Sequence, residues 1–233
     1  MQNSKWPNYS QNEIKKVVKV IKSGKVNYVN GKIGKKFETL FSKWIDRKYS
    51  VAVSNGTVAL ELALKSLMLP PKSEIMVTAR SFFSSASVIV RAGFVPKFID
   101  VDLNDQNILT DDIKKKISEK TKAIICVHLA GNPCHMKNIM EIARKNKLKI
   151  IEDCAQAHGA QIYNKKVGSF GDVATWSFCN DKIISTLGEG GMISTKKKIM
   201  YEFCKRYINH GSALKNKKKT RNLFIIKIIL VLT

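Results

Sequence analysis

Apolar residues follow two alternating patterns along the chain. Short apolar or β-branched runs, typical of buried strands, alternate with longer segments in which apolar residues recur at helical spacing. The predicted strands are at residues 51–53, 74–77, 95–101, 123–129, 149–151, 173–177 and 191–195. The predicted helices are at residues 11–23, 37–44, 57–67, 86–92, 110–117, 136–146 and 199–208. This alternation predicts an α/β fold in which a mostly parallel sheet carries helices on both faces.

The start of the first helix is marked by its polar residues. Ser10, with Glu13 three positions later, matches the pattern of a capping box, in which each residue bonds the backbone of the other. Gly24 follows the last apolar position and predicts the end of the helix.

Residues just past the predicted strands are the candidates for a binding site, because parallel sheets hold ligands beyond the carboxyl ends of their strands. The candidates that fall at or just past such ends are Gly56, Phe82, Asp153, Ser177 and Lys182. We therefore expect these residues to lie at one edge of the sheet.

Residues 54–57 form a Ser-Asn-Gly-Thr turn between a strand and a helix. The free N–H groups and the dipole of a helix N-terminus favour a phosphate group, and Gly56 allows the backbone to approach it closely. The alternative is an ordinary capped helix, with Asn55 or Thr57 as the cap.

Lys182 lies in the loop that follows Ser177, and this loop closes on a Gly-Glu-Gly-Gly sequence at residues 188–191. A lysine at the edge of a sheet forms a Schiff base with an aldehyde once its amine is neutral. The chain is rich in lysine, so a solvated loop lysine is the alternative interpretation.

Two carboxylates, Glu152 and Asp153, end an apolar strand, where a charge is costly unless it is paired or in use. Strand alternation places their side chains on opposite faces, and Asp153 is the better candidate to point into a site. Phe82 and Phe83 stand at the same edge of the sheet. One of them could stack on a planar ring, whereas core packing is the commoner fate of phenylalanine.

Together these groups describe one cofactor. A lysine binds an aldehyde, a carboxylate keeps a pyridine nitrogen protonated so that the ring withdraws electrons, and an aromatic side chain covers the ring. A helix N-terminus and a hydroxyl group hold a phosphate. The cofactor that this set of groups predicts is pyridoxal 5′-phosphate.

The net charge raises a second hypothesis. The 233 residues include 41 Lys and Arg against 18 Asp and Glu, which gives a formal charge of +23 and requires nucleic-acid binding to be considered. The lysines, however, are spread over nearly the whole chain, which favours a solvated basic surface without a nucleic-acid partner.

The cysteine pattern and the chain termini bear on location. The five cysteines form no CxxC pair and no signal peptide opens the chain, so we expect reduced thiols in a cytoplasmic protein, with Cys126 and Cys154 in the core. The apolar stretch at residues 223–232 is interrupted by Lys227 and is too short to span a bilayer, so no membrane association is expected.

Several stretches, in this order, resemble the DegT/DnrJ/EryC1/StrS family of sugar aminotransferases. They are Ser54-Asn-Gly-Thr-Val-Ala-Leu60, Ser81-Phe82, Val127-His-Leu-Ala-Gly131, Glu152-Asp-Cys-Ala-Gln-Ala-His-Gly159, Gly171-Asp172, Ser177-Phe178 with Lys182, and Gly188-Glu-Gly-Gly191. The resemblance extends from about Trp6 to about Gly211 and implies the large domain of a fold-type I pyridoxal-phosphate enzyme, similar to aspartate aminotransferase.

The resemblance also implies a role for each matching residue. Lys182 matches the lysine that binds the cofactor covalently and moves the proton, and Asp153 matches the partner of the pyridine nitrogen. The remaining cofactor contacts that it implies are the phosphate cradle of Gly56, Thr57 and Ser177, the stacking ring of Phe82, and Gln156 near the ring hydroxyl. The motif also contains His158, to which no role is assigned, and no metal is expected.

The implied reaction transfers an amino group, typically from glutamate, to a keto-sugar carried on a nucleotide, for amino-sugar and surface polysaccharide synthesis. Family members usually form homodimers in which the partner chain completes the site. Some relatives are sugar dehydratases with histidine in place of the lysine, and Lys182 favours the aminotransferase branch. A catalytically inactive remnant of such an enzyme is a further alternative.

The family pattern ends near Gly211. We expect residues 1–211 to form the large domain, without the smaller C-terminal domain of longer family members. Residues 212–233 read as an atypical tail, a basic run followed by an apolar one, of the kind that a shifted reading frame or a truncated gene produces.

Overall fold

The computed structural model of this protein describes residues 6–212, and most of the predicted tail at residues 212–233 lies outside this part. Its helices are α1 (Gln11–Lys22), α2 (Ile33–Trp44), α3 (Gly56–Ser66), α4 (Ser84–Arg91), α5 (Thr110–Lys116), α6 (Met136–Lys145) and α7 (Lys198–Tyr207). Its strands are β1 (Tyr49–Val53), β2 (Glu74–Thr78), β3 (Val95–Ile99), β4 (Thr121–Val127), β5 (Lys149–Asp153), β6 (Gln161–Ile162), β7 (Lys165–Lys166), β8 (Val173–Ser177) and β9 (Gly191–Thr195).

The main sheet has seven strands in the order β1-β9-β8-β5-β4-β2-β3. The pairs from β8 through β5, β4 and β2 to β3 are parallel, as predicted. Strand β9 runs antiparallel to both of its neighbours, so β1 and β8 point in the same direction on either side of it. The carboxyl ends of β1, β5 and β8 therefore meet at one edge of the sheet, together with the start of β9.

Helices cover both faces of the sheet, because alternate residues of the central strands are buried against different helices. In β4, Ile125 packs with residues of α3, α4 and α7, whereas Ile124 packs with residues of α5 and α6. In β8, Trp176 faces α2 and contacts the ring of Phe41 at 4.9 Å between centroids. This burial on both sides explains why the strands read as nearly continuous apolar runs.

The polar signals at the first helix are confirmed. The Ser10 side chain accepts a bond from the Glu13 N–H group, and the Glu13 carboxylate accepts one from the Ser10 N–H group at 2.7 Å. The chain leaves the helix at Gly24, whose φ angle of 63° favours glycine.

Strand β3 is shorter than predicted. It ends at Ile99 rather than at residue 101, because the Asp100 N–H group donates to the Asp112 carboxylate at 2.8 Å and Val101 bridges Ile108 instead. A hydrogen bond to a side chain thus replaces the strand pairing that the apolar sequence predicted at these residues.

Candidate active site

Three strands converge where the sequence predicted a site. Val53 at the end of β1 and Ser177 at the end of β8 both pair with Gly191 at the start of β9. A Cβ atom on Gly191 would overlap the carbonyl of Asn55, so only glycine allows the chain to pass this closely beneath α3.

The N-terminus of α3 opens at this edge. The cap is Asn55, whose side-chain oxygen accepts a bond from the Val58 N–H group at 2.9 Å, so of the two cap candidates Asn55 is confirmed. The N–H groups of Gly56 and Thr57, in the first turn, have no earlier carbonyl in the helix to bond. Together with the helix dipole, they can bind an anion.

Ser177 lies directly beside this helix N-terminus. A Cβ atom on Gly56 would lie 2.7 Å from the Cβ of Ser177 and 3.3 Å from its Oγ atom. Ser177 is buried, and its Oγ atom accepts a bond from the Cys179 N–H group at 3.3 Å, which leaves its own proton free to donate. The geometry thus brings a hydroxyl donor next to the open N–H groups.

Asp153 is buried at the end of β5, with 8% of its surface exposed. One carboxylate oxygen accepts a bond from the Ala155 N–H group at 3.1 Å, and the other accepts a bond from the Ser85 hydroxyl at 3.2 Å. Burial raises the pKa of the Asp153 carboxyl, although these two donors and the charges of His128 and Lys182 oppose the rise.

Glu152 points away from Asp153 and has a different environment, as strand alternation predicted. It is fully buried and bonded to Arg47 and to the N–H groups of Gly168, Phe170 and Gly171. Burial raises the pKa of its carboxyl, but His128 and Arg47 outweigh that effect and hold the pKa below its usual range. Glu152 therefore anchors the loop that leads into β8.

The ligand-type atoms of His128, Glu152 and Cys154 lie within 4.8 Å of one another. Glu152 is already paired with Arg47, and the Nδ1 atom of His128 accepts a bond from the Cys134 N–H group at 3.1 Å. These atoms are used by protein partners, and the expectation of no metal stays a prediction.

Lys182 lies in the loop beyond Ser177 and is half-buried. Its ammonium group bonds the carboxylate of Asp181 at 2.9 Å, and the Asp181 side chain is 63% exposed. Burial has the largest effect on both neighbouring groups: it raises the pKa of Asp153 and lowers the pKa of His158. The charge of Lys182 has a smaller effect and lowers both pKa values. The loop thus brings a primary amine near the Asp153 carboxylate.

Phe82 and Phe83 are 67% and 78% exposed, so the core-packing alternative is wrong for both. The carbonyl of Phe82 accepts a bond from the Ser85 N–H group at 3.0 Å. The same turn of chain therefore carries an exposed aromatic ring and the hydroxyl that bonds Asp153.

Gln156 lies half-buried after β5. Its side-chain oxygen accepts a bond from the Ala130 N–H group at 2.7 Å. Since a backbone N–H group requires an acceptor, this contact fixes the orientation of the amide and leaves its NH₂ group free to donate.

His158 is the polar residue of this region that the sequence left without a role. It is 8% exposed, and within residues 6–212 neither ring nitrogen has a hydrogen-bond partner. Its ring lies 5.7 Å from that of Phe178, and burial lowers its pKa to about 4. Sequence reasoning also missed Ser85 and Arg47, since nothing near them in the sequence marks their long-range partners.

Within residues 6–212, no helix combines the length and the apolar composition that crossing a membrane requires.

A family model described as the DegT/DnrJ/EryC1/StrS aminotransferase family matches residues 7–226. GDP-perosamine synthase of Escherichia coli O157:H7 is 42% identical over 192 residues, which cover 82% of this chain and 51% of that protein. The chain spans about half the length of the curated relatives that it matches.

Two solved structures are similar to this one. An aminotransferase from Psychrobacter cryohalolentis has a TM-score of 0.90 and 43% identity, over 94% of this chain and 56% of that one. NtdA from Bacillus subtilis, with the bound cofactor PMP, has a TM-score of 0.81 and 30% identity, over 91% of this chain and 49% of that one. These similarities confirm the predicted fold class, the large domain of a fold-type I transferase.

Proposed function

Since this chain belongs to the DegT/DnrJ/EryC1/StrS aminotransferase family, we propose that it transfers an amino group to a keto-sugar carried on a nucleotide, with pyridoxal 5′-phosphate as cofactor. Glutamate is the proposed donor, so that glutamate becomes a keto acid and the sugar carbonyl becomes an amine. The product class is an amino sugar for polysaccharide synthesis, and a second copy of the chain is the proposed partner.

The observation that carries this proposal is the meeting of three chemical groups at one edge of the sheet. An open helix N-terminus at Gly56, with the Ser177 hydroxyl beside it, fits a phosphate. Asp153 is a buried carboxylate, and within residues 6–212 it has no cation within 4.0 Å. Lys182 supplies a primary amine nearby. The residues present therefore fit the cofactor.

When bound, pyridoxal phosphate supplies an electron-withdrawing ring that stabilises negative charge on the substrate carbon. In this proposal the negative charge of Asp153 holds a proton on the ring nitrogen. Gly56, Thr57 and Ser177 donate hydrogen bonds to the phosphate.

The other side chains bind and orient the ring. The amide NH₂ group of Gln156, which is left free by the bond from Ala130, would donate to the ring hydroxyl, and the exposed ring of Phe82 would cover one face of the cofactor. Both contacts would fix the ring relative to Asp153 and Lys182.

Lys182 has two proposed tasks. Its amine binds the cofactor, and once released it moves a proton to or from the substrate carbon. The exposed Asp181 carboxylate bonds the Lys182 side chain at 2.9 Å and is free to turn into solvent. A histidine at this position would be expected of a dehydratase, so Lys182 supports amino transfer.

The test is an absorption spectrum of the purified chain with added pyridoxal phosphate, before and after borohydride, which fixes the cofactor to its lysine. Wild type is compared with Lys182→Ala and with Lys65→Ala as a matched control, because the Lys65 side chain is also 22% exposed. After borohydride and removal of unbound cofactor, we expect a cofactor absorption band that stays with wild type and with Lys65→Ala and is absent from Lys182→Ala.

Glutamate is then added to the loaded protein. Loss of the band, with release of the keto acid, supports the amino-donor step, and nucleotide-linked keto-sugars are tested next as acceptors. A folded wild-type protein without a Lys182-dependent band would overturn the proposal, and a band that glutamate leaves unchanged would indicate an inactive remnant.

A further inference from the structure

Two serine hydroxyls connect Asp153 to the protein surface. Ser85, in the first turn of α4, is 1% exposed and lies 3.2 Å from the Asp153 carboxylate. The Oγ atom of Ser81 lies 2.7 Å from the Oγ atom of Ser85. This pair forms a continuous chain of hydrogen bonds that ends on the carboxylate.

The direction of these bonds follows from the number of protons. An ionised carboxylate accepts only, so the single hydroxyl proton of Ser85 is donated to Asp153. The bond between the two serines must then be donated by Ser81. Each hydroxyl in the chain is thereby oriented toward the carboxylate, and Ser81 polarises Ser85 as a donor.

Asp153 depends on these donors because it lacks a direct counter-ion. Within residues 6–212, no lysine, arginine or histidine nitrogen lies within 4.0 Å of its oxygens, although His128 and Lys182 act on it at longer range. The carboxylate is held by two bonds, one from the Ala155 backbone and one from Ser85. Of these two donors, only Ser85 can be removed by changing a side chain.

We propose that Ser85, supported by Ser81, is a positioning residue that keeps Asp153 ionised and aimed at the ring nitrogen of the cofactor. This inference rests on the proposed function. With the cofactor bound, the serine pair would set how firmly Asp153 holds a proton on the ring nitrogen. Ser85 itself does not contact the reacting atoms.

The test compares Ser85→Ala, Ser85→Thr and Ser81→Ala with wild type. Ser85→Thr keeps the hydroxyl group, and Ser81→Ala removes only the supporting bond. Ser87→Ala is the matched control, since Ser87 is a half-buried serine of the same helix. Urea unfolding first establishes that each variant is folded.

The first readout is the affinity for pyridoxal phosphate. We expect the dissociation constant of Ser85→Ala to rise up to about tenfold, because an Asp153 carboxyl that is more easily protonated and less firmly oriented is a weaker partner for the ring nitrogen. A smaller rise is expected for Ser81→Ala, and values near wild type are expected for Ser85→Thr and Ser87→Ala.

The second readout is the pH at which the visible band of the bound cofactor changes. A less firmly protonated ring nitrogen withdraws fewer electrons, so the lysine-linked nitrogen keeps its proton to higher pH. The midpoint pH of this change should therefore be higher in Ser85→Ala than in wild type, and it should be near the wild-type value in Ser85→Thr. A purely structural defect would not produce this pattern.

The outcomes separate this inference from the proposed function. If wild type shows no Lys182-dependent band, the proposed function fails. If wild type shows the band but Ser85→Ala has an unchanged affinity and midpoint, the role of Ser85 is wrong and the proposed function stands. Should Ser85→Ala fail to fold, the same comparison is made with Ser81→Ala, and unchanged values there overturn the proposal.

Discussion

A side chain on Gly56 would collide with Ser177, because its Cβ atom would lie 2.7 Å from the Cβ of that serine. Gly56 begins α3 and Ser177 ends β8, so this contact joins a helix N-terminus to the edge of the sheet. The absence of a side chain on Gly56 is thus required by a partner that is distant in sequence.

We predict that Gly56→Ala lowers both the stability of the protein and its affinity for pyridoxal phosphate. Overpacking against a buried strand costs about 1–3 kcal/mol, and the displaced helix turn moves the open N–H groups. Urea unfolding and a cofactor titration measure the two effects. Ser177→Gly removes the colliding Cβ, so the double variant should lose less stability than the two single losses combined, and simple additivity would show that the contact is not the cause.

Arg47 is predicted to be essential for stability because it neutralises Glu152 inside the protein. Both side chains are almost fully buried, and Arg47 also donates to the carbonyls of Gly168 and Gly171. Arg47→Met removes the permanent positive charge beside Glu152 and leaves His128, at 3.3 Å, as the remaining side-chain partner of that buried carboxylate. The free energy of unfolding should fall by about 3 kcal/mol. The measurement is urea denaturation.

The Arg47 prediction has two controls. The double variant Arg47→Met/Glu152→Gln should recover part of the loss, because it removes the charge as well as its partner. Lys114→Met breaks an exposed ion pair with Asp111 and should leave stability unchanged. Equal effects for Arg47→Met and Lys114→Met would contradict the buried-charge argument.

Glu38 is predicted to protect the outer edge of the sheet. β1 is an edge strand, and the Ala52 N–H group on its open side donates to one oxygen of the Glu38 carboxylate at 2.8 Å. The other Glu38 oxygen accepts a bond from the Tyr28 hydroxyl at 2.8 Å and pairs with the Lys205 ammonium at 3.5 Å. Glu38→Ala leaves the buried ammonium of Lys205 without its counter-ion and should cost about 3 kcal/mol of stability.

The variant Glu38→Gln separates the effect of the charge from the effect of the hydrogen bond. It keeps an acceptor for Ala52 and removes only the charge, so it should cost less than Glu38→Ala. Burial and then the Glu38 carboxylate raise the pKa of Tyr28, so this pKa should fall in Glu38→Gln. Ultraviolet titration of the tyrosines measures the change, and an unaltered titration curve would show that Glu38 does not act on Tyr28.

His158 is predicted to titrate at about pH 4, because burial disfavours its charged form. Its folded pKa lies below the ordinary value of 6.5, so the unfolded chain binds the proton first as the pH falls. Stability is therefore complete above pH 6.5 and declines between pH 6.5 and 4, by at most about 1.4 kcal/mol per pH unit. His158→Gln should flatten this decline, and an NMR titration with a midpoint near 6.5 would refute the assignment.

Local patterns predicted much of what the structure contains. The capping box of Ser10 and Glu13 needs residues only three positions apart, and the opposite orientations of Glu152 and Asp153 need only the two-residue period of a strand. The roles of Lys182, Asp153 and Phe82 at a cofactor remain predictions, although the structure brings Lys182 near Asp153 and leaves Phe82 exposed.

Other features could not be read from local patterns. An apolar run at residues 191–195 predicts a strand but not its direction, because the period of side-chain burial is the same in parallel and antiparallel pairs. Likewise, Ser81 and Ser85 have the spacing of one helix face, yet nothing in that spacing identifies Asp153 as their partner.

Short-range periodicity and backbone preference were sufficient to predict the order of strands and helices, the glycine turn before α3, and the polar residues that follow the strands. Long-range packing established four further features: β9 runs antiparallel between β1 and β8, Gly56 contacts Ser177, Arg47 pairs with Glu152, and Ser85 bonds Asp153. All of these features join segments that are distant in sequence, and the contacts of Glu152 and Asp153 form because a carboxylate excluded from water requires a partner within the protein.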